Sequence, residues 1–256
     1  GEWTKKDTWK LRLTHTLTYN KTFNKVHNLN AMIGQEYVAT NNESLSVIAK
    51  YFQKDIAPEK MFASLASNSG ATGSRTINSS LGQEDRTLSF FGRLNYSYAD
   101  RYLLTFTMRA DGSSKFVKDN RWGYFPAAAL GWRIAEEPWM INTKDWLSNL
   151  KLRFSYGTAG NNRISSSMYE TTYKAYGSGK YYGAGNQQNP HYTLNNAQLA
   201  NPELKWETTI TRNVGLDFGF FDERISGSLD YYWNTTKDLL LDAPVTAIGY
   251  TSMQQN

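Results

Sequence analysis

Segments in which every second residue is apolar recur along the chain, joined alternately by very short turns and long polar loops. In the first, Trp9, Leu11, Leu13, Leu17 and Tyr19 share one face, while Lys10, Arg12, Thr14, Thr16 and Thr18 share the other. A period of two fits a β-strand and excludes a helix. The pattern returns in Leu29, Ala31, Ile33 and Tyr37, in Phe90, Leu94, Tyr96 and Tyr98, and in Tyr102, Leu104, Phe106 and Met108. Four more segments follow, ending with Ile225, Leu229, Tyr231 and Trp233. About eight strands of roughly 9 to 14 residues result, and a tilted strand needs about 9 to 11 to cross a bilayer.

Loop lengths separate a soluble β-sandwich from a membrane barrel, because outer-membrane barrels have short periplasmic turns and long extracellular loops. Residues 20–25, 99–101 and 221–224 are tight turns, whereas residues 39–86, 111–123 and 158–206 are long and rich in Ser, Asn, Gly and Tyr. The connection over residues 135–149 falls on the short side of the alternation without being short. Its Glu136, Glu137, Pro138 and Trp139 predict a helical turn at the barrel base. The expected fold is therefore all-β, an antiparallel transmembrane β-barrel in the outer membrane.

No apolar run approaches the ~18 residues of a membrane helix. The 17 Tyr and 8 Trp fit interfacial girdles and also sugar-stacking surfaces. Absence of cysteine removes disulfides, thiolate chemistry and cysteine-ligated metals. The formal charge of +5 has no clustered basic run behind it, so nucleic acid is not an expected partner. No cofactor is expected, and no metal either, since His15 has no second ligand at metal spacing. Gly1-Glu2-Trp3-Thr4 shows no charged leader followed by an apolar stretch, and Met253-Gln254-Gln255-Asn256 lacks a terminal aromatic; both ends read as cut edges.

Enzyme signals are weak throughout. Glu136 and Glu137 are sequence neighbours in a turn, a placement that rarely converges two carboxyls on one substrate. Asp111-Gly112-Ser113-Ser114-Lys115 lacks the helix of a phosphate loop, and Ser178 lacks a strand-to-helix context. The loop over residues 158–206 carries more, because Tyr173, Tyr176, Tyr181, Tyr182 and Tyr192 are interspersed with Asn186 and Gln187. Flat rings cover apolar sugar faces and amides bond hydroxyls, so these are candidate substrate-facing residues for a neutral glycan; a peptide would use similar groups, and so would plain loop packing. Trp9, Tyr19, Tyr98, Tyr102, Tyr124, Trp132 and Trp233, each near a predicted strand end, are candidate girdle residues against outer-membrane lipids. Arg12, Arg93, Arg109, Asn213 and Asp217 lie on the opposite faces, toward a lumen or a plug.

From Phe91-Gly92-Arg93-Leu94-Asn95-Tyr96 onward the chain resembles the SusC/RagA family of TonB-dependent outer-membrane transporters. The resemblance continues through Asp100-Arg101-Tyr102, Arg109-Ala110-Asp111-Gly112-Ser113-Ser114-Lys115-Phe116, Arg121-Trp122-Gly123-Tyr124-Phe125-Pro126-Ala127 and Glu137-Pro138-Trp139. It extends through Gly160-Asn161, Asn201-Pro202-Glu203-Leu204-Lys205-Trp206-Glu207 and Thr236-Lys237-Asp238-Leu239-Leu240. Each motif is weak alone, and their shared order is specific. The resemblance implies a barrel of about 22 strands with an N-terminal plug, energised through TonB and capped by a SusD-like surface lipoprotein. On that reading residues 1–256 are part of one barrel domain, a wall fragment of about eight strands, with plug and TonB box outside this chain. The cargo would be an oligosaccharide or a peptide, and no covalent chemistry would occur. Two other classes stay open: a complete eight-stranded barrel with an adhesin or structural role, and a soluble all-β carbohydrate-binding domain.

Overall fold

The short turns set the architecture, and their backbone shows how. Asn24 and Lys25 adopt φ of 49° and 62°, Ala99 and Asp100 φ of 51° and 54°. In each case the residue after the pair donates its N–H back across the turn, Val26 to Phe23 and Arg101 to Tyr98. Two successive left-handed residues closed this way match the right-handed twist of flanking strands, so the chain reverses into hairpins.

The computed structural model describes residues 2–52, 57–65, 68, 74–82, 84–166, 168–171, 173–175, 181–184, 187–190, 192–194, 198–247 and 250–256. The strands are β1 (Glu2–Phe23), β2 (His27–Ala49), β3 (Arg75–Leu81), β4 (Asp85–Tyr98), β5 (Tyr102–Ser113), β6 (Trp122–Arg133) and β7 (Leu147–Asn161). Short pieces follow: β8 (Tyr173–Ala175), β9 (Tyr181–Ala184), β10 (Gln187–Pro190), β11 (Tyr192–Leu194) and β12 (Gln198–Leu199). Then come β13 (Glu207–Phe220), β14 (Ile225–Lys237), β15 (Leu241–Ala247) and β16 (Tyr250–Gln255). Among the described residues an α-helix, α1 (Pro58–Ala63), follows β2.

The main sheet has nine strands in the order β1-β2-β4-β5-β6-β7-β13-β14, with β3 paired to β2, and it is not closed. The pairings whose register is resolved in this sheet, from β2–β3 to β13–β14, are antiparallel. Two compact units share the chain, residues 1–12 with 38–86, and residues 13–37 with 87–256; β1 and β2 run through both. In the first unit Glu43 to Ala49 pair with Leu81 to Arg75. The second holds the hairpins β4–β5 and β13–β14 and the strands between them.

β1 and β2 span 22 and 23 residues, longer than the predicted strands, because alternation continues through polar residues past the apolar segment. The connection over residues 134–146 folds as two 3₁₀ turns, Ile134–Glu136 and Pro138–Thr143, as the Glu-Glu-Pro-Trp run predicts.

A cluster of buried apolar side chains in the second unit lies at the long-loop end of the sheet. Phe116, Ile164 and Leu204 are buried there, with Met168, Trp206 and Leu240 packed on them. The motif residues converge on this knot. Trp206 lies 5.5 Å from the Phe116 ring and 5.4 Å from Phe125, and its indole N–H donates to the Arg121 carbonyl at 2.9 Å. Phe125 itself lies across two strands where no side chain projects: a Cβ at Gly160 would stand 2.0 Å from its ring, and one at Gly123 2.4 Å. Glycine at both places is thus a space requirement.

Candidate functional site

Directly opposed residues of an antiparallel pair point to the same side of the sheet, so the register assigns every side chain to one of two faces. The first face carries Tyr102 opposite Trp132, Leu104 opposite Leu130, Leu130 opposite Phe154, Phe154 opposite Val214 and Val214 opposite Tyr231. These residues are open to the surroundings: Leu130 is 55% exposed, Phe154 45% and Tyr231 70%. A continuous apolar face of this extent is not tolerated in water.

Aromatic rows bound that face at both ends. At the short-turn end His27, Tyr98, Tyr102 and Trp132 form a chain of ring contacts across four strands, with centroids 4.9, 6.1 and 6.5 Å apart. At the long-loop end Phe90 stacks on Trp122 at 6.1 Å, and Tyr231 meets Trp233 at 5.5 Å. Trp122 and Trp132 stand ten residues apart on β6. That is roughly 33 Å along a strand and roughly 23 Å after a tilt of about 45°, close to the ~25 Å apolar band of outer-membrane barrels. Tyr98, Tyr102, Trp132 and Trp233 thus sit within these rows, and Tyr124 is next to Trp122 on the same face. Tyr19 lies near the short-turn end of β1, whereas Trp9 is mid-strand because β1 reaches back to Glu2.

The second face is polar and cross-braced. Arg109 donates from Nε to both oxygens of Asp111 at 2.8 Å, and from its terminal nitrogen to Ser89 at 2.9 Å and Glu36 at 3.5 Å. Thr14 donates to the other Glu36 oxygen at 3.3 Å. Further along the sheet Arg153 grips Asp217 through two bonds of 2.9 and 2.8 Å and reaches Asp230 at 3.1 Å, while Asn213 donates to Asp230 at 3.2 Å. Across β5, β4, β2 and β1 Thr105 donates to Asn95, Asn95 to Asn30, and Asn30 to Asn20. The middle of this face, on β6 and β7, is lined by Ala127, Ala129, Gly131, Gly157 and Ala159, small residues that leave room for a neighbour.

Arg93 and Arg109 from β4 and β5, and Asn213 and Asp217 from β13, share this face; Arg12 lies on the side of β1 that Thr14 occupies. Sequence alternation selected those five and missed Glu36, Asp111, Arg153 and Asp230, whose pairing depends on strand register. Among the substrate-loop candidates, the backbone of Tyr173 lies in β8, Tyr181 and Tyr182 in β9, Gln187 in β10 and Tyr192 in β11. β8 pairs with β11 and β9 with β10, so the loop doubles back on itself with Tyr182 opposite Asn189. Tyr176 and Asn186 lie outside the described residues.

At the base, Glu137 is buried and accepts the Trp132 indole N–H at 2.9 Å and an Arg101 N–H at 3.1 Å. The Tyr102 hydroxyl donates as well, and with these donors it holds the Glu137 carboxyl below the ordinary carboxylate range. Glu136 points elsewhere, to Lys144 at 3.3 Å. The two carboxyls therefore do not converge. Among the described residues no group of three or more His, Asp or Glu could hold a metal ion.

Two faces of opposite character on one antiparallel sheet, the apolar one banded by aromatics, are the wall of a membrane barrel, and comparison with known proteins agrees. The family profile "TonB dependent receptor-like, beta-barrel" matches residues 1–256. The chain belongs to the SusC/RagA family of TonB-dependent outer-membrane transporters. The TonB-dependent receptor SusC of Bacteroides thetaiotaomicron is 45% identical over 172 residues, 66% of this chain and 17% of SusC. The TonB-dependent receptor P3 of Formosa agariphila is 39% identical over 242 residues, 94% of this chain and 23% of the relative. Among solved structures, the RagAB peptide transporter superposes with a TM-score of 0.81 at 26% identity, covering 99% of this chain and 26% of the transporter chain. A ferric enterobactin receptor from Pseudomonas aeruginosa, at 15% identity and a TM-score of 0.56, shares the fold. The chain spans about a sixth to a third of the length of these relatives. Family members are outer-membrane β-barrel transporters and not enzymes.

Proposed function

We propose that this SusC/RagA barrel segment forms part of the wall of an active importer, one that takes up an oligosaccharide bound at the cell surface and works with a SusD-like lipoprotein. The observation that carries the reading is the division of the sheet into a banded apolar face and a braced polar one. Lipid on one side and a filled lumen on the other are what such a division serves. The Arg153 and Arg109 networks and the small residues of β6 and β7 present the polar face to a plug, whose movement through TonB would open the path. The loop of residues 158–206, with its Tyr and amide content, would meet cargo at the outer surface. SusC at 45% identity supports this reading; the neighbouring RagAB structures are those of a peptide transporter, so a peptide is the alternative cargo class.

The test uses the full-length protein in its own cells. Loss of the gene is expected to abolish uptake of a fluorescent oligosaccharide, an uncoupler to abolish it in wild-type cells, and affinity purification to recover a surface lipoprotein in near-equal amount. Loss of labelled-peptide uptake instead would reassign the cargo. Unchanged uptake of both classes would overturn the importer reading.

A further inference from the structure

Arg212 stands on the wrong face for a cation. It lies on β13 directly opposite Tyr156 of β7 and Trp233 of β14, between Ile210 and Val214 on the apolar side of the sheet. Its guanidinium carbon is 5.9 Å from the Tyr156 ring and 6.0 Å from the Trp233 ring, and one N–H reaches the Thr235 hydroxyl at 3.3 Å. Among the described residues no carboxylate pairs with it, unlike Arg109 and Arg153 on the other face. A cation facing hydrocarbon is costly at mid-depth and tolerable only near the interface.

Its depth is fixed by its neighbours. Tyr156, Arg212 and Trp233 form one row across three strands, and the next row toward the long loops is Thr158, Ile210 and Thr235, two of them hydroxyl-bearing. Arg212 stands eight residues from the short-turn end of β13, against four for Phe106 on β5, so it sits toward the long-loop end of the apolar band, in the aromatic belt and level with lipid headgroups. Rings flank the guanidinium on both sides, and among the described residues the Thr235 hydroxyl is the acceptor it reaches. Its remaining donors, with no carboxylate to take them among the described residues, match a tetrahedral oxyanion.

We propose that Arg212, framed by Tyr156, Trp233 and Thr235, binds the phosphate of a lipid in the outer leaflet and so fixes one lipid against the wall. The proposal rests on the membrane-spanning reading above. The test takes the full-length transporter purified in neutral detergent and titrates it with monophosphoryl lipid A or the same lipid dephosphorylated, reading retained lipid by native mass spectrometry. Wild type is expected to retain the phosphorylated lipid about tenfold better, the scale of a charged hydrogen-bonded contact, and Arg212→Gln to erase that preference. An undiminished preference in Arg212→Gln overturns the site. Displacement of the lipid by millimolar inorganic phosphate also overturns it, by showing that a free anion is the occupant. Should Arg212→Gln fail to assemble, Arg212→Lys is read instead; it keeps the charge and loses the flat fork, and a loss of about threefold or more is expected. A protein that retains neither lipid contradicts the membrane reading, whereas one that retains both equally contradicts this proposal alone.

Discussion

Arg153 serves two carboxylates from two strands, Asp217 and Asp230, 64 and 77 residues away in sequence. Its side chain is about a third exposed, so solvent screening keeps the network modest despite the bidentate grip. A double-mutant cycle of Arg153→Gln and Asp217→Asn in the full-length protein is expected to give a coupling energy of roughly 1 kcal/mol by urea unfolding. A coupling near zero would reduce the pair to a surface contact. Crowding gives a larger effect at Gly160. Valine there collides with the Phe125 ring, an overpacking that costs about 1 to 3 kcal/mol, and Phe125→Ala in the same chain is expected to relieve most of the collision. If the two losses simply add, the ring is not what Gly160 makes room for. Alternation made Arg109, Asn213 and Asp217 legible in the sequence as polar-face residues. It could not show Arg153 with Asp230, or Gly160 under Phe125, since a period of two says which face a residue takes and nothing about which residue stands opposite.

At the scale of elements, the motifs that carried the family resemblance are joints. Asp-Gly-Ser-Ser-Lys-Phe places Phe116 in the knot at the long-loop end, and Asn-Pro-Glu-Leu-Lys-Trp supplies Leu204 and Trp206 to the same knot. Glu-Pro-Trp at the other end puts Glu137 beneath the ends of β5 and β6, where Tyr102, Trp132 and Arg101 donate to it. Turn lengths and the 3₁₀ base were readable because loop chemistry is local; the role of the motifs was not, because their partners come from other loops. Glu137 yields a pH prediction. Its carboxyl is depressed below the ordinary 4.5, so its contribution to stability is complete above that value and is lost as pH falls through the depressed one. The thermal midpoint of wild type is expected to fall more steeply than that of Glu137→Gln between neutral pH and pH ~3, the two curves converging at the acid end. Glu136→Gln, whose partner Lys144 is exposed, is expected to follow wild type. Parallel curves for wild type and Glu137→Gln would show that the carboxylate charge contributes nothing at the base.

For the whole molecule, the decisive property is that one sheet faces two solvents. The sequence shows this in its alternation, and the registers show that the alternation stays in phase from β4 to β14, so that apolar residues of six strands line one side. Such a surface is stable only against lipid, and a charge in its middle has nowhere to go. Phe106 lies midway between the two aromatic rows, opposite Leu94 and Ala128. Thr211 is exposed on the other face, opposite Gly157 and Asn234. Phe106→Arg is expected to cost about 2 to 4 kcal/mol, read as a lower urea midpoint of the full-length protein and a smaller folded fraction in outer membranes. Thr211→Arg, the same new charge on the same sheet, is expected to cost under about 1 kcal/mol because it stays on the polar, exposed face. Equal losses from the two substitutions would mean that the faces do not meet different media, and the barrel-wall assignment would fall with that result; a wide difference between them shows which face meets lipid.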